Sequence, residues 1–90
     1  MPSIHILVKG KVQGVFFRAT AKKVADRLSL GGWIQNNAGG DVEAVVTGTE
    51  EHLQQFIEWC HLGPAGSDVE EVNYDYVESR DFDGFSIRRR

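Results

Sequence analysis

Residues 10–18 of the chain read Gly10-Lys11-Val12-Gln13-Gly14-Val15-Phe16-Phe17-Arg18. Before this stretch, Ile4, Ile6 and Val8 alternate with other residues at the two-residue period of a half-buried strand. After it, from Ala19 onward, apolar residues recur at helical spacing until Gly31-Gly32, where glycine commonly ends a helix. The glycines of the stretch allow a sharp turn between the two elements. We therefore predict a strand, a tight loop and a helix in this order.

The next part of the chain predicts a hairpin followed by a second helix. Residues 33–36 and 42–46 are strand formers, and residues 37–41 between them have the composition of a turn, which indicates a β-hairpin. Thr49 is a suitable N-cap, and the two glutamates after it favour the start of a helix. Gly63-Pro64 is predicted to end this helix.

Two further strands complete the pattern. Residues 72–76 alternate again after a loop that extends to about Asp68, and residues 85–87 form a short run that we interpret as an edge strand. The order strand, helix, strand, strand, helix, strand predicts an α+β, ferredoxin-like βαββαβ sandwich with an antiparallel sheet and two helices on one face. A length of 90 residues suits one core, so we expect a single domain over residues 1–90.

The charges are distributed unevenly along the chain, whose net charge is -3. Residues 1–30 contain six basic residues and one acid, whereas residues 41–83 contain twelve of the thirteen acids and one base. An anion-binding site is therefore expected near the N-terminal third, although scattered surface charge explains the same counts. We interpret Arg88-Arg89-Arg90 most simply as a solvated tail, although a weak electrostatic contact with an anionic partner fits the same residues.

Hydropathy and cysteine usage exclude several classes of protein. No apolar stretch approaches the roughly 18 residues of a membrane span, and the first residues do not resemble a secretory signal. We expect a cytoplasmic protein with no membrane partner. Cys60 is the single cysteine, which excludes an internal disulfide, and it continues the apolar stripe of the second helix, so we interpret it as buried.

The loop of residues 10–18 has the chemistry of an anion site. Its glycines let consecutive N–H groups point into one concavity, and the N-terminus of the following helix adds partial positive charge. Arg18 offers a planar fork of donors for two phosphate oxygens. An ordinary turn followed by a solvated arginine fits the same pattern. The loop lacks the endings of nucleotide-binding and dinucleotide-binding motifs, so no nucleotide cofactor is expected.

The same nine residues resemble the first signature of the acylphosphatase family. A second signature and the family's usual C-terminus are also matched, in Gly32-Trp33-Ile34-Gln35-Asn36 with Gly40, Val42 and Gly48, and in Phe85-Ser86-Ile87-Arg88. The resemblance extends from about Ile4 to Arg88, with two departures. Ile34 stands where the family more often has a smaller residue, and Asp68 stands where many relatives carry a base.

The resemblance implies both an activity and a set of site residues. The implied phosphate-binding residues are Gly14, Val15, Phe16, Phe17 and Arg18. Arg18 and Asn36 would be catalytic, Arg18 by gripping the phosphate and Asn36 by orienting the attacking water. The implied reaction is metal-independent hydrolysis of an acyl phosphate to a carboxylate and inorganic phosphate, by a monomer that needs no cofactor. From spacing alone, Asn36 also fits an asparagine that begins a turn.

Other site chemistries find less support in the sequence. His52 and His61 lie nine positions apart, on roughly opposite faces of the second helix, and His5 belongs to the first strand, so no histidine metal site is predicted. An RNA-recognition module shares the order of elements but needs aromatic residues on its third strand, and residues 42–47 contain none. We expect no nucleic-acid partner. A module that binds carboxyl-phosphate metabolites without turnover remains an alternative.

Overall fold

The structure is a computed structural model that describes residues 1–89. Within these residues, the elements follow the predicted order and include the predicted hairpin and fifth strand. They are β1 (Ser3–Lys11), α1 (Phe17–Arg27), β2 (Gly31–Asn36), β3 (Val42–Thr47), α2 (Glu50–Leu62), β4 (Asp68–Val77) and β5 (Phe85–Ile87). The order confirms the predicted ferredoxin-like α+β fold.

The five strands form one sheet with the order β4-β1-β3-β2-β5. β1 pairs antiparallel with β3 and with β4, and β2 pairs antiparallel with β3. β5 is the short edge strand that the sequence predicts, but it runs parallel to β2. Residues 78–84 carry the chain from one edge of the sheet to the other, and the Arg80 N–H donates a 3.1 Å hydrogen bond to Ser3 Oγ on the way.

Both helices cover the same face of the sheet. Ile4 and Ile6 of β1 are buried in one core cluster together with Phe17 of α1 and Phe56 of α2. His5, which lies between the two isoleucines in β1, is outside this cluster and half-buried on the other face. The alternation in β1 therefore places every second side chain against the helices, as the sequence predicts.

The boundaries of β1 and β4 differ from the prediction. β1 continues past Gly10 to Lys11, and β4 begins at Asp68, which pairs with Lys11 and does not lie in the preceding loop as expected. The pairing register with β4 shifts between Lys9 and Gly10. Gly10 has φ 128°, and a Cβ atom at this residue would stand 2.2 Å from the Asp68 carbonyl oxygen. An exposed edge strand accepts charged residues on both sides, so hydropathy alternation does not reveal this first part of β4.

The two helices begin and end for recognisable local reasons. α1 starts at Phe17, two residues before the predicted Ala19. The predicted N-cap of α2 is confirmed, because Thr49 Oγ1 accepts a 3.2 Å hydrogen bond from the His52 N–H. Gly63, with φ 68°, ends α2 as predicted. No helix within residues 1–89 has the length and apolar character that a membrane crossing requires.

Candidate active site

The loop between β1 and α1 is anchored by apolar side chains at both ends. Val12 and Phe17 are buried in the core, and Val15 packs partly against it. Phe16 points the other way, with 81% of its surface exposed. The backbone from Gly14 to Phe16 is therefore held at the protein surface, while the residues on both sides of it belong to the interior.

Two left-handed residues shape this loop. Gly14 has φ 75°, and Phe16 has φ 61°, a conformation that a residue with a Cβ atom rarely adopts. The N–H groups of residues 14–18 donate no hydrogen bond to any other residue in the described chain. Consecutive N–H groups without partners, in a loop bent by two left-handed residues, can form a concavity that suits an anion.

The N-terminus of α1 adds positive charge to the same place. Its N-cap residue, Phe16, has no side-chain acceptor for the first N–H groups, and the first turn contains no acid. The Phe16 carbonyl accepts hydrogen bonds from the Thr20 N–H at 3.0 Å and from Thr20 Oγ1 at 2.9 Å, which fixes the first turn. The partial positive charge of the helix end is therefore uncompensated by local protein groups.

Arg18 lies in this first turn and is half-buried. Its Nη1 atom donates a 3.5 Å hydrogen bond to the Arg88 carbonyl oxygen, and no carboxylate within residues 1–89 forms an ion pair with it. Arg88 is held in turn by β2: its N–H donates to the Ile34 carbonyl oxygen at 2.8 Å, and its guanidinium lies 4.1 Å from the centroid of the Trp33 ring. The segment after β5 thus holds the Arg18 side chain in position, and no carboxylate among residues 1–89 neutralises its charge.

Asn36 is the last residue of β2, and the structure separates it from the neighbouring turn. The turn is closed by Asn37, whose Oδ1 atom accepts hydrogen bonds of 3.1 Å from the N–H groups of Gly39 and Asp41. The Asn36 side chain has no hydrogen-bond partner among residues 1–89. The turn-forming role that spacing allows for Asn36 therefore belongs to Asn37.

A cavity of about 450 Å³ brings these groups together. Its lining comprises Val12, Gly14, Phe16, Phe17, Arg18, Ala19, Asn36, Ile87 and Arg89. Gly14, Phe16, Phe17, Arg18 and Asn36, five of the residues expected at the site, thus lie around one space. Val15 is the one expected site residue that is absent from this lining; its side chain packs partly against the core.

The model of the family described as Acylphosphatase matches residues 4–87. This chain belongs to the acylphosphatase family. It is 44% identical over 85 residues to an acylphosphatase of Haloquadratum walsbyi, a match that covers 94% of this chain and 91% of the relative.

Two solved acylphosphatase structures are similar to the chain in three dimensions. The structure from Coxiella burnetii has a TM-score of 0.94 at 40% identity, with 97% of this chain and 92% of the other covered. The one from Bacillus subtilis has a TM-score of 0.95 at 36% identity, with 99% of this chain and 100% of the other covered. The resemblance to the acylphosphatase family is therefore confirmed.

Gln13 is a residue of this acylphosphatase site whose importance the sequence reasoning missed. Its Nε2 atom donates hydrogen bonds of 2.9 Å to the carbonyl oxygens of Asn37 and Asp41, in the turn between β2 and β3. The Gln13 side chain therefore connects the loop between β1 and α1, which carries the free amides, with the hairpin that carries Asn36. A glutamine in a glycine-rich loop is a weak signal, because its partners lie 24 and 28 positions away in the chain.

The interpretation of the C-terminal arginines as a solvated tail is only partly correct. Arg88 packs on Trp33, and Arg89 lines the cavity beside Arg18, although both residues are exposed. Arg90 lies outside the described residues. The sequence could not reveal these positions, because β5 reaches β2 only through the parallel pairing of the folded sheet.

The remaining reactive side chains lie elsewhere. His5 Nε2 is 2.8 Å from Glu43 Oε2 on the helix-free face of the sheet. Within residues 1–89, no three His, Cys, Asp or Glu side chains are grouped closely enough to share a metal ion. Cys60 is buried, and burial raises the pKa of its thiol far above the ordinary value of 9.0. It is therefore a neutral packing residue at neutral pH, as predicted.

The two departures from the family pattern lie outside the reactive groups. Ile34 is buried in the core and points to the helix side of β2. Asp68 is exposed at the start of β4 and does not line the 450 Å³ cavity. Neither side chain is therefore placed to touch a molecule in this cavity.

Proposed function

We propose that this chain hydrolyses acyl phosphates, with the amides of residues 14–17 and Arg18 holding the phosphoryl group and Asn36 directing the attacking water. Hydrolysis of such anhydrides is the activity for which the family is named. The observation that supports the assignment is that Gly14, Arg18 and Asn36 line one cavity, beside a loop whose N–H groups donate to no other residue among residues 1–89.

Phosphate binding follows from the charges and donors of the loop. The exposed amides supply neutral donors, and Arg18 supplies a permanent positive charge with two parallel N–H groups. Because the hydrogen bonds of Gln13 and Arg88 hold these donors in place before substrate binds, little reorganisation is needed when charge spreads over the phosphoryl oxygens in the transition state.

Asn36 acts on water and not as a base. A carboxamide is uncharged at any ordinary pH, but its oxygen accepts a hydrogen bond from water and can aim the water oxygen at phosphorus. The new bond forms between that oxygen and phosphorus, while the bond from phosphorus to the acyl oxygen breaks and the carboxylate leaves. The proton of the water passes to a phosphate oxygen. Since a carboxylate is a good leaving group, the reaction needs no protein acid and no metal ion.

The expected monomer, the single domain over residues 1–90, the cytoplasmic location and the lack of a nucleic-acid partner belong to the same proposal. The exposed strand at one edge of the sheet, β4, supports the monomer. Four carboxylates, Asp68, Glu70, Glu71 and Asp75, are exposed along it. Charged side chains on an edge strand oppose pairing with a second sheet, because two copies would bring like charges together.

The test is a hydrolysis assay with purified protein in the presence of EDTA. We expect rapid loss of acetyl phosphate and benzoyl phosphate and no acceleration for p-nitrophenyl phosphate, a monoester with a poorer leaving group. Binding of inorganic phosphate without any hydrolysis would support the alternative of a binding module and overturn the assignment.

Matched variants connect the activity to the site. Arg18→Ala should lower kcat/KM for acetyl phosphate by a factor on the order of 1,000, because a charge-assisted donor pair is lost in the transition state. Arg27→Ala, in the last turn of the same helix, removes an exposed arginine away from the cavity and serves as its control. Full activity of Arg18→Ala would refute the assigned role.

A further inference from the structure

Arg89 lies between two adjoining cavities of the site. The second cavity, of about 380 Å³, is lined by Arg18, Asn36, Asn37, Ala38, Arg88 and Arg89. It shares Arg18, Asn36 and Arg89 with the 450 Å³ cavity described above. A substrate whose phosphoryl group occupies the loop of residues 14–18 can therefore extend its acyl end along a surface that Arg89 borders.

Among residues 1–89, the charged side chains that line the two cavities are all positive. Their linings contain three arginines and no aspartate or glutamate. Arg18 faces the expected phosphate position, and the guanidinium of Arg88 is engaged with the Trp33 ring at 4.1 Å. Arg89 makes no hydrogen bond or ion pair with any of residues 1–89. Within the described part of the chain, the Arg89 guanidinium thus has no partner.

The apolar part of the lining leaves room for a short carbon chain. Phe16 and Ile87 border the 450 Å³ cavity together with Val12. These side chains suit the methylene groups of an acyl chain, and Arg89 is an exposed residue that lines the same cavity and the adjoining one. A guanidinium binds a carboxylate with two parallel hydrogen bonds, which a neutral chain end cannot accept.

We propose that Arg89 is a specificity-determining residue that binds a carboxylate on the acyl end of the substrate. The site then prefers acyl phosphates derived from dicarboxylic acids over those of equal chain length that end in a methyl group. This inference rests on the proposed function, since it concerns the substrate class of the same site.

The experiment compares succinyl phosphate with butyryl phosphate, which share the acyl chain and differ in the terminal carboxylate. The readout is the ratio of their kcat/KM values. We expect a ratio above one in the unmodified protein and a roughly three- to tenfold smaller ratio in Arg89→Gln, in keeping with one partly solvated ion pair. Arg89→Lys retains the charge and should keep most of the preference, whereas Arg27→Gln should leave the ratio unchanged.

The possible outcomes separate the two proposals. If both substrates are hydrolysed and Arg89→Gln retains the ratio of the unmodified protein, the role of Arg89 is overturned while the hydrolase function stands. If the unmodified protein hydrolyses neither substrate, the proposed function fails, and the role of Arg89 fails with it. A preference for succinyl phosphate that weakens with added salt in the unmodified protein, and not in Arg89→Gln, would support the ion pair directly.

Discussion

The Gln13 side chain holds the residue that follows Asn36. Its Nε2 atom donates a 2.9 Å hydrogen bond to the Asn37 carbonyl oxygen and a second one, also of 2.9 Å, to that of Asp41. The loop between β1 and α1 and the turn between β2 and β3 are therefore connected by one side chain. Because the loop carries the phosphate donors and the strand end carries Asn36, Gln13 sets the distance between the two halves of the site.

Replacing Gln13 by alanine is expected to lower kcat roughly tenfold to a hundredfold. Displacement of Asn36 by as little as about 1 Å from the line of attack costs on this order. Loss of the two hydrogen bonds should also reduce the free energy of unfolding by about 1–3 kcal/mol, because two carbonyl groups lose a protein donor. Steady-state kinetics and urea unfolding check both effects. Gln55→Ala is the matched control, since Gln55 is exposed on α2; an effect of equal size there would contradict the positioning role.

Replacing Asn36 by aspartate separates water orientation from base catalysis. The aspartate has the same shape but carries a negative charge that repels the phosphoryl group, so we expect kcat/KM for acetyl phosphate to fall at least as far as in Asn36→Ala. The pH profile of kcat/KM between about pH 4 and pH 8 is the measurement. Activity that rises with ionisation of the new carboxylate would indicate that a base is useful here and would contradict the assigned role. Asn73→Ala, on the exposed strand β4, controls for loss of an asparagine.

The left-handed backbone at Phe16 predicts an unusual order of stability. Phe16 has φ 61° and an 81% exposed side chain, so its ring adds little packing while its Cβ atom is strained. We expect Phe16→Gly to be more stable than Phe16→Ala by about 1 kcal/mol, or roughly 4–8 °C in Tm for a domain of this size. The two variants differ by one methyl group, and thermal unfolding followed by circular dichroism compares them. Equal Tm values would mean that the loop relaxes away from this conformation.

Burial of Cys60 predicts a loss of stability at alkaline pH. Desolvation raises the pKa of the thiol in the folded protein above the ordinary value of 9.0 that it has in the unfolded chain. Above that pH the unfolded chain releases the thiol proton and the folded protein does not. The free energy of unfolding therefore falls by up to about 1.4 kcal/mol per pH unit above that pH. At lower pH the thiol is protonated in both states, and the full stability is present.

Cys60→Val isolates this contribution, because valine fills a similar space and cannot ionise. Urea unfolding of both proteins at pH 7.5, 9 and 10 gives the difference in stability at each pH, which removes the effect of lysines and tyrosines common to both. We expect the difference to shift in favour of the variant as the pH rises. A constant difference would show that the thiol is not buried in solution.

Local patterns were sufficient to predict most of the fold. Alternation in β1, the helical spacing after Ala19, the Thr49 cap and the ending at Gly63 each depend on interactions within a few residues, and each is found in the structure. The start of β4 at Asp68 is not predicted by local patterns, because it depends on contacts between distant parts of the chain. An edge strand of exposed charged residues is stabilised by backbone pairing with β1, and this pairing leaves no hydropathy pattern.

The candidate site also combines features that local sequence determines with features that depend on the tertiary structure. The amino-acid sequence by itself determined the glycine-flanked loop, the arginine at the helix start and the asparagine at the strand end, because these are properties of short segments. Only the tertiary structure decided that Asn37 closes the turn in place of Asn36, that Gln13 spans the loop and the hairpin, and that Arg89 borders the cavity. Those relationships depend on atoms far apart in the chain, and their distances are set when the sheet assembles and the helices pack on it.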